Sequence, residues 1–365
     1  MNSTRSVLIT VTNNCNLECV YCYEHNKQQS MADFDTVKAI IDAEFDKQHD
    51  LYIFDFFGGE PLLNFEVVKQ SCEYIWSTSE VKKKDCKVSI CTNGTLVHGE
   101  IQKWIRNNQH RLSVGLSIDG TEKTQNINRS NSFGMIDLEF FKSLKTCNIK
   151  ATISKKSLPN LFEDVLFLHS TGIEFSINPA YDEGWDERDC SVMDEQLQKC
   201  VQFYNEHPEI EPCRLLNMPL SVISKELPLE IQKYCGIGTS SSSFDIHGKE
   251  YACQILMPLS GSEIMDQIEF KDKIPITHLD EKCQRCPVVR GCPTCYATNY
   301  RLYGNIYHKG EYECILILKQ FLATAQLVYS KIASKKILSS EDRETLYRIN
   351  KLLEYCDDRG LVQYK

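Results

Sequence analysis

The sequence predicts an α/β protein built on a parallel sheet, followed by a cysteine-rich segment and closing helices. Three observations carry that prediction. Six apolar runs suited to buried strands alternate with five segments whose apolar residues recur every three or four positions, the pattern of strand–helix crossover units buried on both faces. Seven cysteines then fall between residues 235 and 314, and two amphipathic stretches end the chain.

The strand candidates are Val7 to Val11, Leu51 to Phe57, Val88 to Cys91, Leu112 to Ile118, Ile149 to Ser154 and Ile173 to Asn178. Between them, helical spacing covers Asp33 to Gln48, Leu62 to Ser77, Gly99 to Asn107, Ile136 to Thr146 and Asn160 to Thr171, with Asp33 a fitting N-cap and Gly172 a fitting stop. Pro179 to about Asp189 is polar and acidic and reads as a linker or active-site loop. Helical patterns follow over Asp194 to Asn205 and Leu220 to Tyr234, the second broken at Pro228. Gly248 closes a hairpin between Ser243 to Ile246 and Glu250 to Cys253. Ile315 to Ala333 is an amphipathic packing helix, and Ser339 to Asp357 a capped, charged one.

Composition narrows the function. A net charge of −9 argues against a general nucleic-acid binder. The N-terminus carries no apolar signal core and no run of about 18 apolar residues occurs, so a cytoplasmic protein without membrane partners is expected. In a reducing cytosol, 18 cysteines read as metal ligands and core residues before disulfides, and a low-oxygen setting is expected with them.

Chemistry concentrates in the stretch Thr12-Asn-Asn-Cys15-Asn-Leu-Glu-Cys19-Val-Tyr21-Cys22. Thiolates select soft metals, and three on one loop can hold three corners of a [4Fe-4S] cubane, whose fourth iron then stays open to a chelating amino acid group. A Cys3His zinc tetrahedron from Cys15, Cys19, Cys22 and His25 is the alternative. After one helix and one strand comes Gly58-Gly59-Glu60-Pro61: the glycines allow close backbone approach, and the carboxylate can accept hydrogen bonds from an ammonium group.

Together these two motifs closely resemble the radical S-adenosylmethionine (SAM) superfamily, with Tyr21 as the aromatic of C-x3-C-x-aromatic-C and Gly58 to Pro61 as the SAM-binding motif. The resemblance implies a partial (β/α)6 TIM-like barrel with its chemistry at the carboxyl ends of the strands. Segments just past those ends resemble ones that surround SAM: Thr92-Asn93-Gly94-Thr95, Ser117-Ile-Asp119-Gly120 and Asn178-Pro179. By the same resemblance Ser117 meets the ribose and Arg129 lies near the ligand carboxylate, although Asn-Gly and Asp-Gly are turn signals in any protein.

The later cysteines run C-x12-G-x4-C, then C-x2-C-x5-C-x2-C, then a last one at Cys314, a layout similar to the SPASM extension that carries two auxiliary [4Fe-4S] clusters. Carried over by position, Cys283, Cys286, Cys292 and Cys314 hold the outer cluster, and Cys235, Cys253 and Cys295 the inner one. Cys292-Pro-Thr-Cys295 has two intervening residues where the family has three. Zinc ribbons are the alternative for these C-x2-C pairs. The expected domains are thus 1–215 barrel, 216–325 SPASM and 326–365 helical tail. Cys72, Cys147, Cys200 and Cys356 fall in helical patterns and read as core, while Cys91, beside the Thr-Asn-Gly turn, and Cys190 and Cys213, in irregular regions, carry no assignment.

The activity implied is reductive cleavage of SAM to a 5'-deoxyadenosyl radical that abstracts hydrogen from a ribosomally made precursor peptide, with an oxidative crosslink, thioether favoured, as product. Carbon–carbon cyclisation and anaerobic sulfatase-type maturation are the enzymatic alternatives; an iron–sulfur electron carrier or zinc scaffold is the non-enzymatic one. Sulfatase-maturing relatives place an aspartate just after the hairpin cysteine, whereas Gln254 follows Cys253 here. Cys-Pro-Thr-Cys-Tyr resembles maturases of cysteine-repeat peptides. Expected partners are the peptide, an electron donor such as flavodoxin or ferredoxin and, because the first strand starts by about Ser6 and leaves no leader-binding domain ahead of it, a separate leader-binding protein. The sequence names no catalytic acid or base.

Overall fold

The computed structural model describes residues 3–261 and 268–362. Strand and helix alternate from the start: β1 (Thr4–Thr12), α1 (Phe34–Phe45), β2 (Leu51–Gly58), α2 (Phe65–Lys82), β3 (Asp85–Thr92), α3 (Gly99–Asn108) and β4 (Leu112–Leu116). The order continues with α4 (Glu122–Asn128), α5 (Leu138–Lys142), β5 (Cys147–Ile153), α6 (Leu161–Ser170), β6 (Phe175–Pro179) and α7 (Glu187–Glu206). Then come β7 (Glu230–Gln232), β8 (Ser241–Phe244), β9 (Glu250–Tyr251), β10 (Lys273–Pro275), α8 (Glu281–Gln284), α9 (Tyr296–Tyr303), α10 (Glu311–Ala333) and α11 (Ser340–Asp357). Two compact units result: Met1–Thr152 with Phe167–Ser176 and Gly236–Lys271, and Ile153–Leu166 with Ile177–Cys235 and Asp272–Lys365.

The sheet that carries the first unit has the order β6-β5-β4-β3-β2-β1-β8-β9. From β1 to β5 every pairing is parallel, and β1 also pairs β8 in parallel. Alternate residues explain its stability: Val7, Ile9, Tyr52, Phe54, Phe56, Val88 and Ile90 are all but fully buried, and Phe45 of α1 meets the rings of Tyr52 and Phe54 edge-on, both at 5.2 Å. The opposite face alternates in kind, with Ser6, Leu8, Asp55 and Ser89 half-buried. Asp33 caps α1, accepting from Thr36 N, and Gly172 stops α6 at φ 69°. The hairpin is present: Gly248 turns at φ 82° between β8 and β9.

In the second unit α10 packs along α7 and α11. Length and composition would let α10 cross a membrane, yet 61% of its most apolar window is buried, as in a core helix. Capping boxes start α7 (Asp186 with Asp189) and α11 (Ser339 with Asp342).

Several expectations are corrected. Leu220 to Tyr234 is not a helix: it holds a 3-10 turn, Leu220–Val222, and the strand β7, whose Ile231 pairs Ile274 of β10. Pro228 pushes the preceding Leu227 away from helical backbone, and Leu227 and Leu229 are exposed, so the apolar spacing never formed one face. Ile136 to Thr146 shrinks to the short α5, capped by Asp137. The sequence pattern missed α4. Cys147 lies in a strand and Cys190 in α7.

Candidate active site

The glycine motif fits against the backbone of the cysteine loop. Gly58 has φ 127°, and a Cβ there would lie 2.1 Å from Thr12 O; at Gly59 it would lie 2.3 Å from Asn14 O and 2.8 Å from the Cβ of Cys15. Gly59 N donates to Thr12 O at 3.1 Å and Glu60 N to Asn14 O at 2.9 Å. The close approach that these glycines permit is therefore to the cysteine loop itself. Gly59→Ala should cost about 1–3 kcal/mol by overpacking and push Cys15 out of place, which thermal melting and iron analysis after reconstitution would show together.

Glu60 is buried at the start of the 3-10 turn Pro61–Asn64. Its Oε1 accepts from Thr92 Oγ1 at 2.8 Å and Leu62 N at 3.1 Å, and its Oε2 from Asn93 N at 2.7 Å. The carboxylate expected to meet an ammonium group thus braces the Thr92–Thr95 turn. That turn reaches back to the cysteine loop: Asn93 Nδ2 donates to Asn16 Oδ1 at 2.9 Å, and Asn16 Nδ2 to Thr95 Oγ1 at 2.8 Å. Burial pushes the Glu60 carboxyl up to about 7, against the opposing pull of these donors. A raised folded-state pKa stabilises the fold at low pH, and that stability is lost as pH rises from the ordinary 4.5 through about 7. Glu60→Gln should flatten the stability profile across that window, as urea titrations at a series of pH values would read.

Asp119 gathers the third group. It is 1% exposed and accepts from Tyr21 Oη at 2.6 Å, Asn128 Nδ2 at 3.0 Å, Arg129 Nε and Nη2 both at 3.1 Å, and Thr152 N at 2.9 Å. Arg129 lies over the Tyr21 ring at 5.4 Å and brings Nη1 to 4.0 Å from Cys19 Sγ. Two of its nitrogens are spent on Asp119, so the guanidinium expected near a ligand carboxylate faces the cysteine loop through Nη1 alone. Ser117 donates its backbone N–H to Thr92 O at 2.9 Å, and its half-buried hydroxyl makes no hydrogen bond among the described residues.

Cys15, Cys19 and Cys22 are half-buried free thiols. Burial pushes Cys15 up to about 11 and raises Cys19, the latter opposed by Arg129. Lys27, anchored on Leu17 O at 3.0 Å, loses some basicity to burial, but Cys22, Cys15 and Cys19 outweigh that and raise it. Three thiols outside any disulfide, backed by two cations, suit an anionic thiolate cluster. Among the described residues no three His, Cys, Asp or Glu groups close on a single ion.

The other expected ligands divide between the units. Cys253 belongs to the first, its thiol donating to Gln254 Oε1 at 3.3 Å; Cys235 and Cys295 belong to the second. Cys295 Sγ caps α9, accepting from Thr298 N at 3.5 Å and also from Thr298 Oγ1 at 3.2 Å. Cys283, Cys286, Cys292 and Cys314, all in the second unit, are electrostatic neighbours: burial first, then Cys314 and Cys292, push Cys283 up to about 12. Asn178 is exposed in the second unit and lines a groove with Tyr181, Trp185 and Cys295. Sequence reading missed Asn16, Lys27 and Asn128; the signal available for the first two was their place within and just beyond the cysteine loop.

Residues 9–153 match the radical SAM superfamily, the stretch that supplies the cysteine loop, Gly58 to Pro61, Asn93, Asp119 and Arg129. Residues 9–153 are a radical SAM superfamily domain. An uncharacterised protein of Methanocaldococcus jannaschii is 32% identical to this chain over 181 residues, 48% of the chain and 62% of that protein. A cysteine-type anaerobic sulfatase-maturating enzyme of Clostridium novyi is 26% identical over 37% of the chain and 39% of its own length. The chain thus spans less than two thirds of these curated relatives. Among solved structures, anSMEcpe with bound AdoMet and Cp18Cys peptide matches 91% of the chain and all of its own, at TM-score 0.67 and 18% identity. Streptococcus suis SuiB bound to precursor peptide SuiA matches 86% of the chain and 76% of its own, at TM-score 0.53 and 15% identity. These likenesses are likenesses of fold.

Proposed function

We propose that this radical SAM protein is a peptide maturase that installs an oxidative crosslink, thioether favoured, in a ribosomally made precursor. The observation that carries the reading is the cysteine loop, fixed by Gly58 and Gly59 below and braced by Asn16 and Tyr21 against the strand ends. A [4Fe-4S] cluster held there by Cys15, Cys19 and Cys22, with SAM, supplies the hydrogen-abstracting radical. The chain's own residues position that site: Glu60 and Asp119 order the turns around it, and Arg129 and Lys27 offset the charge of the thiolates. Cys283, Cys286, Cys292 and Cys314, all in the second unit, would hold an outer auxiliary cluster, and the three clusters that the cysteine count allows make about twelve irons per chain. Peptides bound by the two similar structures support a peptide substrate. A flavodoxin- or ferredoxin-type donor, a separate leader-binding protein and a cytoplasmic setting complete the proposal.

Sulfatase-type maturation is the second reading, favoured by the sulfatase-maturating relatives. Against it stands Gln254, an amide in the place of the family's basic aspartate, accepting from Cys253. Anaerobic reconstitution followed by SAM, dithionite and a panel of synthetic cysteine-containing peptides separates the two. Loss of two hydrogens with loss of an alkylatable thiol supports the thioether; two hydrogens lost with every thiol still alkylated supports a carbon–carbon link. Oxidation of an isolated cysteine in a sulfatase-derived peptide, without any link, supports the second reading. Stoichiometric zinc with little iron would overturn both.

A further inference from the structure

The end of α11 returns to the cysteines of the second unit. Arg359, just past the helix, places Nη1 3.5 Å from Cys314 Sγ and 3.5 Å from Tyr355 Oη. Nη2 pairs with Glu311 in the first turn of α10, three residues before Cys314. Tyr355 fixes the guanidinium from below, its ring 5.7 Å from Cζ, and donates its own hydroxyl to Lys282 O at 2.9 Å, immediately before Cys283. Lys282 in turn pairs with Glu311 at 3.0 Å. Cys314 is buried, so the charge beside it is poorly screened by water. This bracket joins two of the four cysteines of the outer set to one permanently charged side chain.

We propose that Arg359 is a positioning and tuning residue for the outer auxiliary cluster: its N–H donated to the Cys314 sulfur raises that cluster's reduction potential, and Glu311 moderates the effect. The inference rests on the proposed assignment of Cys283, Cys286, Cys292 and Cys314. The couple is one electron, taken up by the cluster's irons with no ligand bond made or broken. A cation and a hydrogen bond at a ligand sulfur favour the reduced, more negative state. Arginine remains charged throughout the working pH range, so the tuning does not titrate.

The test is an EPR-monitored redox titration with titanium(III) citrate on the full chain, reconstituted anaerobically, with Cys15, Cys19, Cys22 and Cys253 replaced by alanine so that the outer cluster alone reports. Arg359→Gln should lower the midpoint, shifting the reduced-to-oxidised ratio at fixed potential by about tenfold, or ~59 mV. Glu311→Gln should move it the opposite way, and Arg359→Lys should restore most of the loss. A merely structural role predicts no such opposition of sign. Equal midpoints in Arg359→Gln and its parent, with iron content unchanged, overturn the role of Arg359 alone. If Arg359→Gln fails to retain iron, the Glu311→Gln shift decides: upward supports the proposal, none overturns it. No iron on the parent's four cysteines overturns the cluster assignment itself.

Discussion

Replacing Cys15, Cys19 or Cys22 by alanine should abolish the proposed formation of 5'-deoxyadenosine from SAM. In the proposed assignment each thiol is one of three ligands, and the loop has no slack to recruit another, because Gly58 and Gly59 hold Thr12 and Asn14 at backbone contact and Asn16 is tied to Thr95. Neighbouring carboxyls do not substitute: Glu24 is pushed by burial up to about 7, and Glu60 is committed to three donors. The control is Cys72→Ala, a fully buried thiol in α2, which should cost stability and leave SAM cleavage in place. Chromatographic assay of 5'-deoxyadenosine after dithionite reduction reads both; turnover surviving in Cys19→Ala would refute the ligand assignment.

Asp119→Ala should be the most destabilising single change in the first unit. It removes the acceptor of five hydrogen bonds and leaves the Arg129 charge buried without its partner, a loss of about 3–5 kcal/mol. For a unit of this size that corresponds to a melting shift of roughly 6–20 °C. Because the penalty is mostly that of an orphaned cation, adding Arg129→Met should return part of it, and a double-mutant cycle in urea measures the coupling. A single-mutant loss below about 1 kcal/mol would contradict the buried-pair account.

The strand–helix order of the first half was legible because each strand is an apolar run buried on its helix-facing side and each long helix keeps one apolar stripe. Asp33 and Ser339 announced their caps, and Gly172 and Gly248 their turns, since those roles depend on local backbone chemistry. What the sequence could not convey is partnership. Gly59 was readable as a site of close approach, but that the approaching atoms are Asn14 O and the Cβ of Cys15 depends on the β1–β2 register. Arg129 was singled out for a ligand, yet a carboxylate ten residues earlier holds it, and that pairing needs the short α4, whose largely polar residues give little periodic signal. At Leu220 to Tyr234 the spacing of apolar residues matched a helix, while Pro228 and the exposed Leu227 and Leu229 lie in the irregular segment just ahead of β7.

The strand that leads into the cysteine loop has neighbours from opposite ends of the first unit. β1 lies between β2, which follows it closely, and β8, whose Ser241 to Phe244 pair with Ser6 to Ile9. During synthesis, one edge of β1 therefore stays unpaired until residue 244 has left the ribosome, more than 220 residues after the third thiol of the loop has emerged. An unpaired parallel edge is both a late folding step and an aggregation hazard. Slow translation or early truncation before β8 should thus cost solubility before it costs anything else.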